Sequence, residues 1–274
     1  MKRLDISCLI FSFAICFPLA VNADLLLWNK LGSTYEVQHS AAGPNGEIVG
    51  EVLFEPSQHG NGFRSAERTN NFDTPNNFVR FPLPGLGPQG SIEFWYHPDW
   101  NNSSVGHVID LIQYGFPEPS GGAHLAFVLS YNNWTDHIIA WVLDQGTDPP
   151  DLAVEYIYPS SNPQWSTITP MHIAYTWDVS ADKKLTLYLN GQPAGSNYRV
   201  EGTPDEFLWN FSEPYLYVGS RMYSGDWDRH YWEPNINGII DNIKVWDYAK
   251  ADFSDRFFEG DKNISLQAVY NLLL

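Results

Sequence analysis

Aromatic rings and charged side chains alternate in residues 221–234, which read Arg-Met-Tyr-Ser-Gly-Asp-Trp-Asp-Arg-His-Tyr-Trp-Glu-Pro. A sugar ring presents a flat C–H face and a rim of hydroxyl groups. Proteins bind it with an exposed aromatic ring and nearby carboxylate, amide or guanidinium groups. The polar neighbours of Trp227 and Trp232 indicate a loop that leaves these rings uncovered. The pattern predicts a carbohydrate-binding site formed by Tyr223, Asp226, Trp227, Asp228, Arg229, Tyr231 and Trp232.

Two further segments combine tryptophan with asparagine. Trp134 follows Tyr-Asn-Asn in residues 131–134, and Trp100 lies between an aspartate and two asparagines in residues 99–102. Both tryptophans are therefore predicted to contribute to ligand binding. The alternative is that the loop rings plug the open ends of a β-sandwich and belong to its interior.

The charge of the chain restricts the class of ligand. The 274 residues include 15 Lys and Arg against 32 Asp and Glu, which gives a formal net charge of −17. A nucleic-acid-binding protein needs a basic face to neutralise phosphates, so this class is excluded. Polyanionic sugars would be repelled at long range unless Ca²⁺ bridges them to the protein or Arg64, Arg68 and Arg80 form a local patch, so a neutral polysaccharide or glycan is favoured.

The first residues have the pattern of a targeting segment. Lys2 and Arg3 precede an uncharged apolar run over residues 6–21, which ends in Val-Asn-Ala at residues 21–23. This is typical of a secretory signal peptide over residues 1–23 and predicts a secreted, periplasmic or cell-surface protein. An uncleaved anchor is the alternative. Both cysteines lie within residues 1–23, and the mature chain is predicted to lack a membrane span.

The remaining sequence is a succession of short apolar or alternating runs separated by Gly, Pro, Asn and Asp. The pair Asn190–Gly191 between two such runs predicts a two-residue hairpin. These features predict an all-β fold, a two-sheet antiparallel jelly-roll sandwich forming a single domain over residues 24–260. Residues 249–258 alone have a helical pattern, and residues 261–274 form an apolar tail or edge strand. The predicted strands cover residues 91–97, 107–114, 124–129, 137–143, 152–158, 172–177, 185–190, 215–218 and 239–246.

Three segments carry a resemblance to a known family. They are Gly-Ser-Ile-Glu-Phe-Trp-Tyr-His-Pro (90–98), Met-His-Ile-Ala-Tyr-Thr-Trp-Asp (171–178) running into Leu-Thr-Leu-Tyr-Leu-Asn-Gly (185–191), and Gly-Ile-Ile-Asp-Asn-Ile-Lys-Val-Trp-Asp-Tyr (238–248). In this order they resemble the laminin-G-like (LamG) jelly roll of the concanavalin A-like lectin/glucanase superfamily. The resemblance implies two antiparallel sheets, often a structural Ca²⁺, and binding of a glycan or a protein without catalysis.

The resemblance also implies a position for the calcium ion. Ca²⁺ prefers six to eight oxygen ligands. Asp241 matches the family's aspartate near the final strand, with Asn237 beside it, and Asn71 and Asp73 in an early loop offer further oxygens. The alternative is that Asp241 fixes the turn that enters the strand through hydrogen bonds to the backbone.

Recognised catalytic patterns are missing from the sequence. The glucanases of this superfamily carry a Glu-x-Asp-x-x-Glu strand that places two carboxylates about 5 Å apart on one face. The nearest pattern here, Asp226-x-Asp228 followed by Glu233, has the wrong spacing. Two alternatives to non-catalytic glycan binding remain open. One is a hydrolase or lyase with an unrecognised site using His107, His137 or Tyr223, and the other is a surface adhesion protein.

Overall fold

The computed structural model describes residues 24–65, 77–83, 86–99, 108–117, 123–132, 137–142, 152–157, 168–178, 184–198, 214–219, 236 and 238–258. These residues form fifteen strands, one short α-helix and one 3₁₀ helix. In chain order they are β1 (Leu25–Asn29), α1 (Thr34–Gln38), β2 (Glu47–Val49), β3 (Val52–Ser57), β4 (Gly60–Ser65), β5 (Phe78–Pro82), β6 (Gln89–Pro98), β7 (Val108–Pro117), β8 (Ala123–Asn132), β9 (His137–Val142), β10 (Leu152–Ile157), β11 (Met171–Asp178), β12 (Lys184–Leu189), β13 (Gln192–Tyr198), β14 (Tyr215–Val218), β15 (Gly238–Trp246) and the 3₁₀ helix (Ser254–Phe258).

The strands form two antiparallel sheets. An eight-stranded sheet has the order β13-β12-β11-β6-β15-β4-β3, with β1 also pairing with β15. A seven-stranded sheet has the order β10-β9-β8-β7-β14-β5-β2. The prediction of a two-sheet antiparallel sandwich is confirmed. Within the described part of the chain, no helix is long and apolar enough to cross a membrane.

The core lies between the sheets and is formed by alternate residues of the strands. In β12, Leu185, Leu187 and Leu189 are fully buried in the core cluster, as their spacing predicts. Trp177 is likewise buried in this core. Trp246, by contrast, is only half-buried. Because it follows the core residue Val245, it faces the other side of the sheet.

The turn between β12 and β13 is the two-residue hairpin that Asn190–Gly191 predicts. Asn190 has a φ of 50° and Gly191 a φ of 78°, so both central residues are left-handed, as a type I′ turn requires. Leu189 pairs with Gln192 across the turn. A side chain at Gly191 would approach the Arg256 guanidinium, so the 3₁₀ helix lies against this hairpin.

The helical segments differ from the prediction. Residues 249–258 were expected to be helical, but only Ser254–Phe258 forms a turn of 3₁₀ helix. The helix α1 was not predicted because it has only five residues. It is capped by Ser33, whose hydroxyl accepts a hydrogen bond from the Glu36 amide, and the Asn29 amide donates to the carbonyls of Glu36 and Val37.

Candidate functional site

Most residues of the predicted ligand and metal sites lie outside the described residues. This applies to all nine residues predicted to bind carbohydrate, to Asn237, Asn71 and Asp73, and to the predicted signal peptide and tail. Those assignments stay predictions. Asp241 is the one predicted site residue whose surroundings the structure describes.

Asp241 is fully buried in β15, on the outer side of the eight-stranded sheet. Its Oδ2 accepts a hydrogen bond of 2.9 Å from the His59 amide, and its Oδ1 accepts one of 3.2 Å from the Asn242 side chain. Burial raises the pKa of Asp241 to about 6, and the accepted hydrogen bonds limit the rise. The carboxyl therefore holds the turn between β3 and β4 in place.

Four polar side chains lie side by side across the outer face of the seven-stranded sheet. Backbone register places Gln113 of β7 opposite Tyr217 of β14, Tyr217 opposite Arg80 of β5, and Arg80 opposite Glu47 of β2. Their neighbours along the strands, including Ile112, Val79, Leu216 and Val218, belong to the core. The four residues, here called the cross-strand row, therefore face away from the core.

Burial changes along the cross-strand row. Gln113 and Tyr217 are each 1% exposed, whereas the side chains of Arg80 and Glu47 are 28% and 56% exposed. With neighbouring strands about 4.8 Å apart, the row spans about 14 Å. The backbone register continues it through Val128 of β8 to Trp141 of β9.

Arg80 is the electrostatic centre of the row. Its Nε donates a 2.8 Å hydrogen bond to Glu47 Oε2, and a second guanidinium nitrogen lies 2.7 Å from the same oxygen. Burial disfavours the charge of Arg80, but its hydrogen bond and ion pair with Glu47 outweigh this effect and raise its pKa. Burial raises the pKa of Tyr217, which therefore stays protonated.

Aromatic rings surround this charge pair. The Arg80 guanidinium lies 4.7 Å from the centre of the Tyr215 ring, and Tyr215 is 6.0 Å from Tyr217. Phe78 packs edge-on against Tyr217 at 5.4 Å. Phe78 and Tyr215 are half-buried. The face thus combines partly exposed rings with a guanidinium and a carboxylate, which suits a ligand with apolar faces and many hydroxyl groups.

Sequence reasoning missed this face because its members are far apart in the chain. Residues 47, 80, 113 and 217 meet only through the pairing of four strands that are not consecutive. The local signal was the run Tyr-Leu-Tyr-Val in β14, whose alternation places both tyrosines on one side. The partner strands cannot be deduced from that alternation.

A second polar group lies on the outer side of the eight-stranded sheet. Glu93 is fully buried there and accepts hydrogen bonds from Trp246 Nε1 at 2.7 Å and Lys250 Nζ at 2.8 Å. His172 Nε2 lies 3.0 Å from the other Glu93 oxygen. Lys250 also donates to both oxygens of Asp255, at 2.8 and 2.9 Å. These five residues, here called the Glu93 network, join the segment after β15 to the sheet.

The electrostatics of the Glu93 network follow from burial and pairing. Burial opposes the charge of Glu93, but His172 and Lys250 outweigh it and lower the pKa of Glu93 to about 2. Burial lowers the pKa of His172, so the ring is neutral at pH 7 and Nε2 is its donor nitrogen. Its Nδ1 finds no hydrogen-bond partner among the described residues. His172 is thus a buried histidine with one of its two ring nitrogens paired among the described residues.

The described residues contain no group of three or more histidine, cysteine, aspartate or glutamate side chains placed to hold a metal ion. Of the carboxylates described above, Glu93 and Glu47 are each paired with a cation.

The two antiparallel sheets of this structure are consistent with a concanavalin A-like β-sandwich. The family model for the concanavalin A-like lectin/glucanases superfamily matches residues 70–252. The chain belongs to this family, as its motifs suggested. No curated protein matches the chain.

Solved structures show the same fold at low identity. The binding domain of botulinum neurotoxin DC, solved in complex with SialylT, matches with a TM-score of 0.54 and 12% identity, over 91% of this chain and 52% of that chain. The receptor binding domain of the botulinum neurotoxin C/D mosaic serotype matches at 0.55 and 13%, over 86% and 50%. Trypanosoma rangeli sialidase, in complex with 2,3-difluorosialic acid, matches at 0.52 and 14%, over 86% and 32%. The chain spans about half the length of the toxin domains, and the likeness shows the fold.

Proposed function

We propose that this protein is a secreted carbohydrate-binding protein without catalytic activity, which binds a neutral glycan on the outer face of the seven-stranded sheet. The observation that carries the proposal is the cross-strand row with its neighbouring rings. Tyr215 and Phe78 offer partly exposed ring surface beside the Arg80–Glu47 pair. Sugar hydroxyl groups both donate and accept hydrogen bonds, and this pair offers an acceptor and a donor side by side.

The charge of the site supports a neutral ligand. Arg80 is already neutralised by Glu47 at 2.7 Å, so it has little net attraction for an anionic sugar. The formal net charge of −17 adds long-range repulsion of polyanions. A guanidinium that is held in place by a carboxylate still has N–H groups for neutral hydroxyls.

The predicted loop residues extend the proposal. The residues between β14 and β15 include Trp227, Tyr231 and Trp232, and they follow the strand that carries Tyr215 and Tyr217. We infer that these three rings stack on further sugar units, with Tyr223, Asp226, Asp228 and Arg229 as hydrogen-bonding neighbours. Trp134 follows β8 and Trp100 follows β6 in the sequence, and both are assigned the same role.

Export and calcium belong to the same proposal. The signal-peptide pattern of residues 1–23 supports secretion, with cleavage before Asp24. A carboxylate has about four acceptor positions, so the polar contacts that Asp241 makes with His59, Ser57 and Asn242 leave acceptor capacity for a cation. Oxygen ligands suit Ca²⁺, which would be held by Asp241 with Asn237, Asn71 and Asp73.

The test is affinity electrophoresis of the chain without residues 1–23, in gels that contain β-glucan, galactomannan, xylan or alginate. We expect retardation by at least one neutral polysaccharide. Arg80→Ala and Tyr215→Ala should each weaken it about tenfold because a charge-assisted hydrogen bond or a stacking surface is lost. Arg64→Ala is the matched control. Arg64 pairs with Glu55 and Asp99 on the other sheet, and its side chain is 25% exposed.

Each outcome bears on a separate part of the proposal. Equal retardation of the Arg80→Ala variant and the wild type would show that the cross-strand row is not part of the binding site. Retardation only by alginate, or binding only to sialic acid, with which Trypanosoma rangeli sialidase was solved, would contradict a neutral ligand. Release of reducing ends or unsaturated uronates would contradict the absence of catalysis. The absence of retardation in every gel would overturn carbohydrate binding.

A further inference from the structure

A groove lies where the chain crosses from the seven-stranded to the eight-stranded sheet. Its volume is about 580 Å³, and α1, β2 and the beginning of β3 form its walls. The lining side chains include Thr34, Gln38, Glu47, Glu51, Val52 and Leu53. A volume in this range is typical of sites for small organic ligands.

We propose that this groove is a second carbohydrate subsite, so that the ligand is an extended neutral oligosaccharide that runs from the cross-strand row over the sheet edge. The inference rests on the carbohydrate binding proposed above and adds to it the length and path of the ligand.

The groove lining is complementary to a sugar ring, which has polar hydroxyl groups at its rim and apolar C–H faces. Thr34, Gln38 and Glu51 are exposed and offer hydroxyl, amide and carboxylate groups. Leu53 is 47% exposed and provides apolar surface. None of the nine described residues that line the groove is a lysine or an arginine, which favours a neutral ligand over an anionic one.

Tyr35 supplies an aromatic ring on the helix that borders the groove. Tyr35 is 68% exposed, compared with 57% for Phe257. His39 stacks on it with a 4.0 Å centroid distance and a 17° interplanar angle. Stacking on one face fixes the ring and leaves the opposite face for a sugar. Tyr35 and Gln38 are three residues apart and therefore lie on the same side of α1.

Glu47 connects the two subsites. Its carboxylate pairs with Arg80 in the cross-strand row, and the same residue lines the groove. A ligand bound along the row therefore reaches the groove without leaving the protein surface. A ligand that occupies both subsites gains affinity because its second contact is intramolecular.

The experiment is calorimetric titration with cello-, manno- and xylo-oligosaccharides of two to eight units. For the series that binds the wild type, we expect affinity to rise with length. In Tyr35→Ala and Gln38→Ala, the affinity for the longest members should fall about tenfold while that for the shortest members stays unchanged. Phe257→Ala is the matched control, because Phe257 is 57% exposed on the outer side of the other sheet.

Hydrogen exchange provides a second readout. The longest oligosaccharide should slow exchange of the amides in residues 33–55, and the shortest should not. Equal affinities of the wild type and the groove variants at every length, together with losses in Arg80→Ala, would overturn the second subsite and keep the proposed function. Failure of the wild type to bind any oligosaccharide would contradict the proposed function as well.

Discussion

Lys250 is the cation that stabilises the buried carboxylate of Glu93. Its side chain is 7% exposed and its ammonium group lies 2.8 Å from Glu93, which has no exposed surface. The same group is 4.8 Å from the centre of the Trp246 ring and 5.0 Å from that of Phe253. Removing it would leave Glu93 charged in the interior with only neutral donors.

Lys250→Met is therefore expected to lower the free energy of unfolding by about 3 kcal/mol, because one partner of a buried ion pair is lost. Urea unfolding followed by tryptophan fluorescence measures the change. Lys30→Met is the control, since Lys30 is half-buried and its ammonium group lies 6.0 Å from the centre of the Trp28 ring. Its replacement should lower the free energy of unfolding by less than about 1 kcal/mol. Equal losses in the two variants would contradict the role of Lys250.

The pKa of His172 predicts how stability depends on pH. Burial lowers this pKa below 6.5 although Glu93 acts in the opposite direction, and Lys250 and Arg256 add to the lowering. The unfolded chain binds a proton near pH 6.5 that the folded chain resists, so stability falls as the pH decreases below 6.5. The lowered pKa of Glu93, about 2 against 4.5, causes a further loss as the pH falls below about 4.5.

His172→Gln keeps a hydrogen-bond donor for Glu93 and removes the titrating ring. We expect its free energy of unfolding to change less between pH 6.5 and pH 5 than that of the wild type, as measured by urea titrations at each pH. The raised pKa of Asp241, about 6, acts in the opposite direction in both proteins and cancels in the comparison. Identical slopes would show that His172 does not titrate in this way.

At the scale of elements, residues 247–258 cover the outer side of the eight-stranded sheet without forming an α-helix. Phe253 is 1% exposed and packs with Ala174 and Tyr188 in a small cluster separate from the main core. Its ring centre is 4.9 Å from that of Tyr188 and 5.6 Å from that of His172. The segment is thus held by an apolar contact and by the Glu93 network.

Phe253→Ala should cost about 3 kcal/mol, because a large buried ring is replaced by a cavity. Phe257→Ala, which truncates an exposed ring in the 3₁₀ helix that follows Phe253, should cost less than about 1 kcal/mol. Thermal and urea unfolding of the two variants make the comparison. A similar loss in both would indicate that Phe253 does not anchor the segment.

The elements show which features the sequence determines locally. The alternation in β12 correctly predicts that Leu185, Leu187 and Leu189 face the core, and the pair Asn190–Gly191 correctly predicts the hairpin, because both depend on neighbouring residues. The opposite face, with Thr186 and Tyr188, is buried as well, which the alternation does not predict. The helix α1 escaped prediction because its stability depends on Ser33 and on the distant hydrogen bonds from Asn29. Residues 249–258 have a helical pattern, but tertiary contacts of Lys250 and Phe253 hold them in another conformation.

At the scale of the molecule, the family and the two-sheet architecture could be predicted, whereas the described binding face could not. Strand runs and three motifs were sufficient for the fold. The cross-strand row depends on which strands become neighbours, and β5, β7 and β14 are brought together by long-range pairing. Sequence patterns indicate which side of a strand a residue occupies but not which strand lies beside it.

The proposed calcium ion has a consequence for the whole fold. A ligand that binds only the native state raises the unfolding midpoint. The melting temperature of the chain without residues 1–23 should therefore be several degrees higher in millimolar CaCl₂ than in EDTA, as measured by calorimetry. Asp241→Asn should reduce this difference. A melting temperature that does not respond to chelation would contradict the calcium site.

The position of β15 determines when the molecule can form. This strand lies in the interior of its sheet and pairs with β1, β4 and β6, yet it is synthesised after the other fourteen described strands. The Asp24 amide also donates a 2.8 Å hydrogen bond to the Asp247 carboxylate, which joins the residue before β1 to the residue after β15. The eight-stranded sheet therefore cannot close before residues 238–246 have emerged, so an incomplete chain exposes unpaired strand edges on both sides of the gap. The strands that precede β15 in the chain therefore depend on a segment that is synthesised after all of them.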